Sequence, residues 1–262
     1  MSKKLTVITV TFNAESALER TILSVLSQTL FTDIEYIIID GGSEDRTLEI
    51  IKKYESSFAK WVSEKDKGIY DAMNKGIGLA NGEWLLFMNA GDKFVDEKVI
   101  ENVFQQNITD TDIVYGNYVI VYQHFKKIKY TPKNLSNAFH LYMPLNHQST
   151  FIKTTLARAH PYSLAYKIAS DYEQILFFFT SGKVFRHLDI LIAEFADGGL
   201  SSNHKIIYHQ EQFEIAQKYG LPVSEKDLKK VIFREKITNL LRKFFPRIVF
   251  ERLMQLKKIF VK

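Results

Sequence analysis

Three apolar runs dominate the first third of the chain. Residues 5–12, 34–40 and 83–89 are rich in β-branched and aromatic side chains with little polar alternation, the pattern of strands buried on both faces. Residues 60–63 read as a shorter strand. Between these runs the period changes. Leu18, Ile22, Val25 and Leu26 recur at helical spacing after Ser16-Ala17-Leu18-Glu19, which has the form of a capping box. Residues 46–54 and 69–80 are further predicted helices, the second stopped by Asn81-Gly82. Strands alternating with helices through short connections predict an α/β fold with a mainly parallel, Rossmann-like sheet and helices on both faces. Ligands of such sheets bind beyond the carboxyl ends of the strands. Asn13, Asp40 and the turn at 89–92 all fall on that edge.

Past residue 96 the pattern is less regular. Residues 112–122 and 125–130 are predicted to pair as strands, and 146–153 reads as a turn entering a strand. Ser170–Thr180 is a predicted helix with Ser170 as N-cap and Gly182 beyond its end. Residues 184–195 are strand-like and 203–219 helical. No repeat, low-complexity tract or Pro-rich linker divides the chain, so one domain over 1–223 with a tail over 224–262 is expected.

Charge separates these two parts. The chain carries a net +5, yet residues 224–262 hold twelve Lys/Arg against four Asp/Glu, a net +8, so the rest carries −3. In the tail Ile237, Leu240, Leu241 and Phe244 repeat at helical spacing, and beyond Pro246 so do Val249, Leu253, Leu256 and Phe260. Arg242, Lys243, Arg247, Arg252, Lys257 and Lys258 lie between them. An apolar face beside a basic one predicts an amphipathic helix that lies on an anionic membrane surface, or else packs on the domain or on a partner. Nucleic acid is not expected as a partner, because the tail's phenylalanines follow the apolar spacing of burial rather than that of base stacking. There are no cysteines, which excludes disulfides and thiolate metal sites. The apolar run behind the first lysines is a poor signal peptide, and no stretch approaches the ~20 apolar residues of a spanning helix. A soluble or peripheral protein is expected.

Three acids stand at loop mouths of the first half: Asp40 in "IIIDGGSED", Asp66 in "SEKDKGIYDAMNKG" and Asp92 in "FMNAGD". Each alone reads equally well as a turn former. Together, at one edge of one sheet, they suit a nucleotide. One carboxylate can pair with the imide N–H of a pyrimidine, and another can hold a divalent cation that neutralises a diphosphate. Without that cation, three acids around a polyanion would repel it. Lys67 and Lys75 are candidate phosphate contacts, with solvated helix-end lysines as the alternative. A dinucleotide-binding oxidoreductase is excluded, since Thr-Phe-Asn-Ala-Glu-Ser follows the first strand where Gly-x-Gly-x-x-Gly would be needed.

The segments "VITVTFNAE", "IIIDGGSEDRT", "DKGIYDAMNKGI" and "ANGEWLLFMNAGD", in this order and spacing, resemble the family 2 glycosyltransferases, inverting enzymes of GT-A fold. "DKGIYDAMNKG" is similar to bacterial members that assemble surface polysaccharides. The likeness is strong over about 4–95 and continues more weakly through "NHQSTFIK" and "SDYEQILFF" to about 200. It implies a nucleotide-sugar half over about 1–95 and an acceptor half over about 96–223. Thr11, Asn13 and Asn89 would approach the nucleotide sugar, Asp40 and Asp66 would hold base and ribose, and Asp92, the final acid of the metal-binding turn, would be the ligand to Mn²⁺ or Mg²⁺. Two departures stand out. The turn reads Asn89-Ala90-Gly91-Asp92 where relatives often have Asp-Ser-Asp-Asp, so a single carboxylate remains. Met73 stands where many relatives carry Arg, so a phosphate-facing cation would have to come from Lys67 or Lys75.

Inverting transfer also needs a base to activate the acceptor hydroxyl. The resemblance gives that role to Asp171 in "ASDYEQ", with Glu173 as the rival. His147 and Gln148 match an "HQ" expected to line the acceptor or diphosphate pocket. Residues 197–201, Asp-Gly-Gly-Leu-Ser, are expected to form a loop near the acceptor. The expectation is thus an inverting transferase that moves a sugar from a nucleotide diphosphate to a saccharide. By resemblance the donor is a UDP-sugar, with guanine and thymine open as the base. The acceptor is expected to be lipid-linked, at the cytoplasmic face of a bacterial membrane. The alternative is a weak or inactive sugar-nucleotide-binding protein on the same scaffold.

Overall fold

The computed structural model describes residues 3–136, 138, 139, 141–199 and 204–244. The apolar runs form the centre of one sheet. Strands β1 (Leu5–Thr11), β2 (Ile34–Asp40), β3 (Lys60–Ser63) and β4 (Trp84–Phe87) lie in the order β3-β2-β1-β4, all parallel. The chain steps outward from β1 to β3 and then returns to the other side of β1. The strand order therefore reverses between β1 and β4, which opens a crevice at their carboxyl ends.

Both β1 and β2 are buried at every position, and the alternation of side chains explains why. Ile8, Val10, Ile37 and Ile39 face one way. They pack against helix α3 (Ile69–Leu79) through Tyr70, Met73 and Ile77, in a core that also takes Tyr172, Ile175 and Leu176 of α6 (Ser170–Thr180). Leu5, Val7, Tyr36 and Ile38 face the other way, against Leu18, Ile22 and Val25 of α1 (Leu18–Leu26). Helix α2 (Thr47–Lys53) flanks β2 on that side through the buried Ile51. Met73 is part of the core at 1% exposure, so position 73 points into the sheet and away from any phosphate.

The second half extends the sheet with mixed directions. Beyond β4 come β8 (Thr150–Lys153), β6 (Ile113–Val121), β9 (Phe185–Ala196) and β5 (Lys93–Phe94), with β7 (Lys126–Lys129) paired to the far end of β6 as the expected hairpin. β8 is antiparallel to both of its neighbours and β5 to β9, while β6 and β9 are parallel. Short helices α4 (Val99–Phe104) and α5 (Thr154–Ala159) follow β5 and β8. Helices α7 (Lys205–Lys218) and α8 (Glu225–Phe244) close the described chain.

Two helix starts differ from expectation. α1 begins at Leu18 with Ala17 as N-cap and no side-chain cap, so Ser16 is not the capping residue. The segment ahead of it is held instead from the start of α2 and the loop before it: Thr47 accepts from Ala14 N–H at 2.8 Å and Asp45 from Glu15 N–H at 3.1 Å. Ser170 is the first residue of α6, not its cap; Ala169 occupies that position. The Asn81-Gly82 stop does end α3, and Glu35 of β2 secures it. This buried carboxylate accepts from Asn81 N–H at 2.6 Å and Asn81 Nδ2 at 2.9 Å.

α8 packs on α7, with Lys205 and Glu235 paired at 3.6 Å and Thr238 buried. Its outer face bears Phe233, Ile237, Leu240 and Phe244, with 64% of Phe233 and 75% of Phe244 exposed. At about 100° per residue these four fall within an arc of roughly 60°. The exposed Lys229 and Lys236 flank one side of that arc, and the exposed Lys230 and Arg234 the other. Val249, Leu253, Leu256, Phe260, Arg247, Arg252, Lys257 and Lys258 of the expected amphipathic tail lie outside the described residues, as do Leu200 and Ser201 of the expected loop. Among the described residues no helix is long and apolar enough to cross a membrane.

Candidate active site

The crevice beyond β1 and β4 is built by four loops. Thr11 ends β1 at 5% exposure, with its hydroxyl buried and unpartnered among the described residues. Phe12 follows with 61% of its surface exposed. Asn13 then takes a left-handed backbone, φ 46°. That turn ties the first loop to the second. Asn13 N–H donates to Ser43 Oγ at 2.8 Å, and Asn13 Oδ1 accepts from Glu44 N–H at 2.9 Å.

Asp40 is fully buried, and its carboxylate is filled by its own chain. It accepts from Gly42 N–H at 3.1 Å, from Ser43 N–H at 3.0 Å and from the hydroxyls of Ser43 and Ser63, the latter at 2.6 Å. Asp66 sits above, half-buried, with Oδ1 accepting from Gly68 N–H at 2.8 Å. Gly41 lies directly beneath it. A Cβ there would stand 2.3 Å from Asp66 Oδ2 and 3.5 Å from the Phe12 ring, so only glycine lets these three converge. Lys75 is committed to Glu64 at 2.9 Å and Asp71 at 3.7 Å. Lys67 is exposed, and its N–H donates to Asp71 at 3.0 Å.

The turn at 89–92 is fastened from α1. Thr21, fully buried, donates to Asp92 O at 2.7 Å and accepts from Gly91 N–H at 2.9 Å, while Arg20 donates to Gly91 O. Asp92 itself is half-buried. Burial pushes its carboxyl up to about 6, against the downward pull of a 2.7 Å bond from Gln148 Nε2 and of nearby His147 and Arg20. The side-chain oxygens of Asn89 and Gln148 are buried without a hydrogen-bond partner among the described residues. No group of three His, Cys, Asp or Glu forms a ready metal cage among those residues. One carboxylate with two unspent amide oxygens nonetheless suits a hard divalent ion whose other ligands are diphosphate or water.

His147 and Gln148 come from the three-residue turn His147–Ser149 ahead of β8. Gln148 takes hold of Asp92. His147 Nε2 meets Asn89 Nδ2 at 3.0 Å, and its Nδ1 lies 3.5 Å from Asp171 Oδ2. The turn thus links the acid expected at the metal to the acid expected as base. Asp171 is the second residue of α6, with 18% of its side chain exposed. Its Oδ1 accepts from Tyr172 N–H at 2.8 Å and from the Tyr70 hydroxyl at 3.2 Å. Burial, with the Asp171 charge adding to it, holds Tyr70 well above the usual phenol range, so it stays protonated.

Glu173 has a different setting. It is buried at 2% exposure and bonded to Tyr219 at 2.6 Å, Lys218 at 3.0 Å and His160 at 3.1 Å. Burial raises its pKa, but those three partners outweigh burial and leave it lowered. Sequence reasoning missed Phe12, Thr21 and Tyr70. Tyr70 sits in the quoted "DKGIYDAMNKG" one helical turn before Asn74, which pairs with the Tyr162 backbone at 2.8 and 2.9 Å. That spacing was the available signal for a face of α3 that meets the second half.

The family model described as glycosyl transferase family 2 matches residues 6–172, a span that includes all of these loops and Asp171. The PGL/p-HBAD biosynthesis glycosyltransferase of Mycobacterium bovis (strain BCG / Pasteur 1173P2) is 30% identical over 205 residues, covering 73% of this chain and 77% of its own. Among solved structures, S. aureus TarS 1–349 in complex with UDP is similar with a TM-score of 0.67 and 17% identity, over 87% of this chain and 69% of that one. The mannosyltransferase PcManGT from Pyrobaculum calidifontis, in complex with GDP-Man and Mn²⁺, is similar with a TM-score of 0.61 and 15% identity, over 81% and 62%. At such identities these two share the fold. With a family model over more than half its length, a relative matched along most of it, and the sheet and crevice described above, this chain belongs to glycosyl transferase family 2 and is a glycosyltransferase of GT-A fold.

Proposed function

We propose that the enzyme transfers a sugar, with inversion, from a UDP-sugar to a lipid-linked saccharide in bacterial surface-polysaccharide synthesis. The observation that carries this reading is the His147–Ser149 turn, which joins Asn89 and Asp92 on the donor side to Asp171 on the acceptor side. Phe12 offers an exposed ring for a base to lie on, Asp66 accepts from nucleoside or ribose, and Thr11 and Asn13 border the same loop. Asp40 works from beneath, shaping 41–43 against Asp66. Lys67 is the freer cation for phosphate, since Lys75 is already paired. Asp92, Asn89 and Gln148 would hold Mn²⁺ or Mg²⁺, which supplies positive charge to the leaving diphosphate. The two solved relatives hold UDP in one case and GDP-Man with Mn²⁺ in the other, which supports a nucleotide donor in this crevice.

Asp171 acts as base. Its Oδ1 is occupied by Tyr70 and Tyr172, while among the described residues Oδ2 has only the longer His147 contact and can take a proton. The acceptor hydroxyl gives its proton to Oδ2 as its oxygen bonds to the anomeric carbon, opposite the diphosphate. The bond from that carbon to the diphosphate oxygen breaks, and both electrons leave with the nucleotide. His147 orients Asp171 relative to the donor turn.

The catalytic part spans 1–223 and the basic tail 224–262. We assign the outer face of α8 to an anionic membrane, where a lipid-linked acceptor resides. Four exposed apolar residues flanked on both sides by lysine or arginine support this, because an interfacial helix sinks its apolar arc and keeps flanking ammonium groups at the headgroups. Nucleotide release from a panel of UDP-, GDP- and dTDP-sugars, with Mn²⁺ or Mg²⁺, tests the reaction. UDP release that rises with a saccharide acceptor is expected. Donor binding with no turnover of any donor would make the chain a binding protein.

A further inference from the structure

The helix that carries Asp171 starts without a side-chain N-cap. Ala169 provides no side-chain cap, and the buried Ser170 hydroxyl has no partner among the described residues. The loop ahead of it is irregular, yet its backbone donors are not spare. Lys167, Ile168 and Ala169 donate three successive N–H groups to one carboxylate, that of Glu211 on α7, at 2.8, 2.9 and 2.9 Å. The first goes to Oε1 and the other two to Oε2. The same short loop is held from its other side, where the Ile168 carbonyl accepts from the Tyr70 hydroxyl at 2.6 Å. That hydroxyl also reaches Asp171 Oδ1 at 3.2 Å. Lower on α6, Glu173 is tied to Lys218 and Tyr219 at the end of α7.

We propose that Glu211 is a positioning residue for the base: by gathering the three N–H groups before α6, it fixes the place from which Asp171 meets His147 and the acceptor. This rests on the reading of Asp171 as the base. Charge-assisted bonds from a planar carboxylate to consecutive amides define both position and direction of a loop, which neutral or single bonds do not. Glu211 lies outside the matched family region, so the role belongs to the less regular carboxyl-terminal part of this chain. It is half-buried and borders a surface groove of about 420 Å³ with Tyr166, Ile207, Phe213, Glu214 and Leu228, so water can replace it in a variant without a sealed void.

Glu211→Gln keeps the size and leaves one oxygen for three donors, with an amide NH₂ turned toward the others. Its kcat is expected to fall by about tenfold to a hundredfold, since a displacement of about 1 Å at a reacting group costs up to that much. The KM for donor and the calorimetric affinity for UDP are expected to stay within about twofold. The decisive comparison is made in the Asp171→Asn background. There Glu211→Gln should lower transfer no further, because its effect passes through a base already removed. Glu211→Asp, which keeps both oxygens, should recover part of kcat. Wild-type kcat in Glu211→Gln overturns the proposal, as does an equal loss in the presence and absence of Asp171, or a loss of UDP affinity matching the loss of rate. If Glu211→Gln does not fold, Glu211→Asp carries the same test. Wild-type turnover in Asp171→Asn alone would instead remove the base reading on which this rests.

Discussion

Asp40 shows how far a single residue can be read. Its place at the end of an apolar strand marks it as unusual, but the sequence does not say whether it faces ligand or loop. The structure fills it with four donors from 42, 43 and 63. Asp40→Ala would leave those donors without their charged acceptor in a buried place, at a cost of about 2–4 kcal/mol. A lower melting midpoint and weaker UDP binding, both with and without metal, are expected together. Weaker binding at unchanged stability would mean direct contact with the nucleoside. Asp92→Ala should behave differently in calorimetry, losing the metal-dependent part of UDP affinity and keeping the rest; an unchanged Mn²⁺ effect would contradict its assignment. Acids were legible because a carboxylate after a buried strand is conspicuous. Thr21, Tyr70 and Glu211 were not, because an ordinary helical residue shows its partner only once distant segments are brought together.

At the scale of elements, periodicity located the long helices and buried strands but missed short ones. α4 and α5 span six residues each, too few for a period to show. Both expected serine caps were displaced by one position, with Ala17 and Ala169 in the N-cap places and no side-chain cap at either, while hydroxyls and carboxylates from other elements hold the backbone just ahead of each helix. α8 makes the opposite case. Its apolar spacing was plain, but only the fold shows that Phe233, Ile237, Leu240 and Phe244 stay exposed while Thr238 and Glu235 face α7. In a flotation assay the full chain should rise with anionic vesicles at low salt and be released as salt increases. Phe233→Ser with Leu240→Ser should weaken that binding by at least tenfold while UDP affinity and melting midpoint hold. Equal flotation of the double variant would remove the membrane role from this face.

For the whole molecule, the parallel half was readable because a helix follows each of β1, β2 and β3 and carries the chain back to add another parallel strand. The mixed half was not, because β8, β6, β9 and β5 pair out of chain order and no local signal sets their direction. Electrostatics acts across both halves. Burial raises the pKa of Glu35, Glu173 and Glu194, but bonds from Thr6 and Asn81, from Tyr219, Lys218 and His160, and from Lys126 and Lys93 outweigh it and leave all three lowered. Carboxylates with folded pKa below the unfolded ~4.3 contribute stability that is complete above that value and lost as pH falls through the folded pKa. The melting midpoint should therefore drop steeply below about pH 4.3, and less steeply in Glu173→Gln; a midpoint constant to pH 3 would contradict this. The central claim is that one turn brings a donor-binding acid and a catalytic base to the same anomeric carbon. Asp171→Asn, assayed for transfer and for UDP affinity on the same preparation, tests it most directly. Transfer should fall by about 10²- to 10⁴-fold with UDP affinity unchanged. Transfer at the wild-type rate would contradict the account.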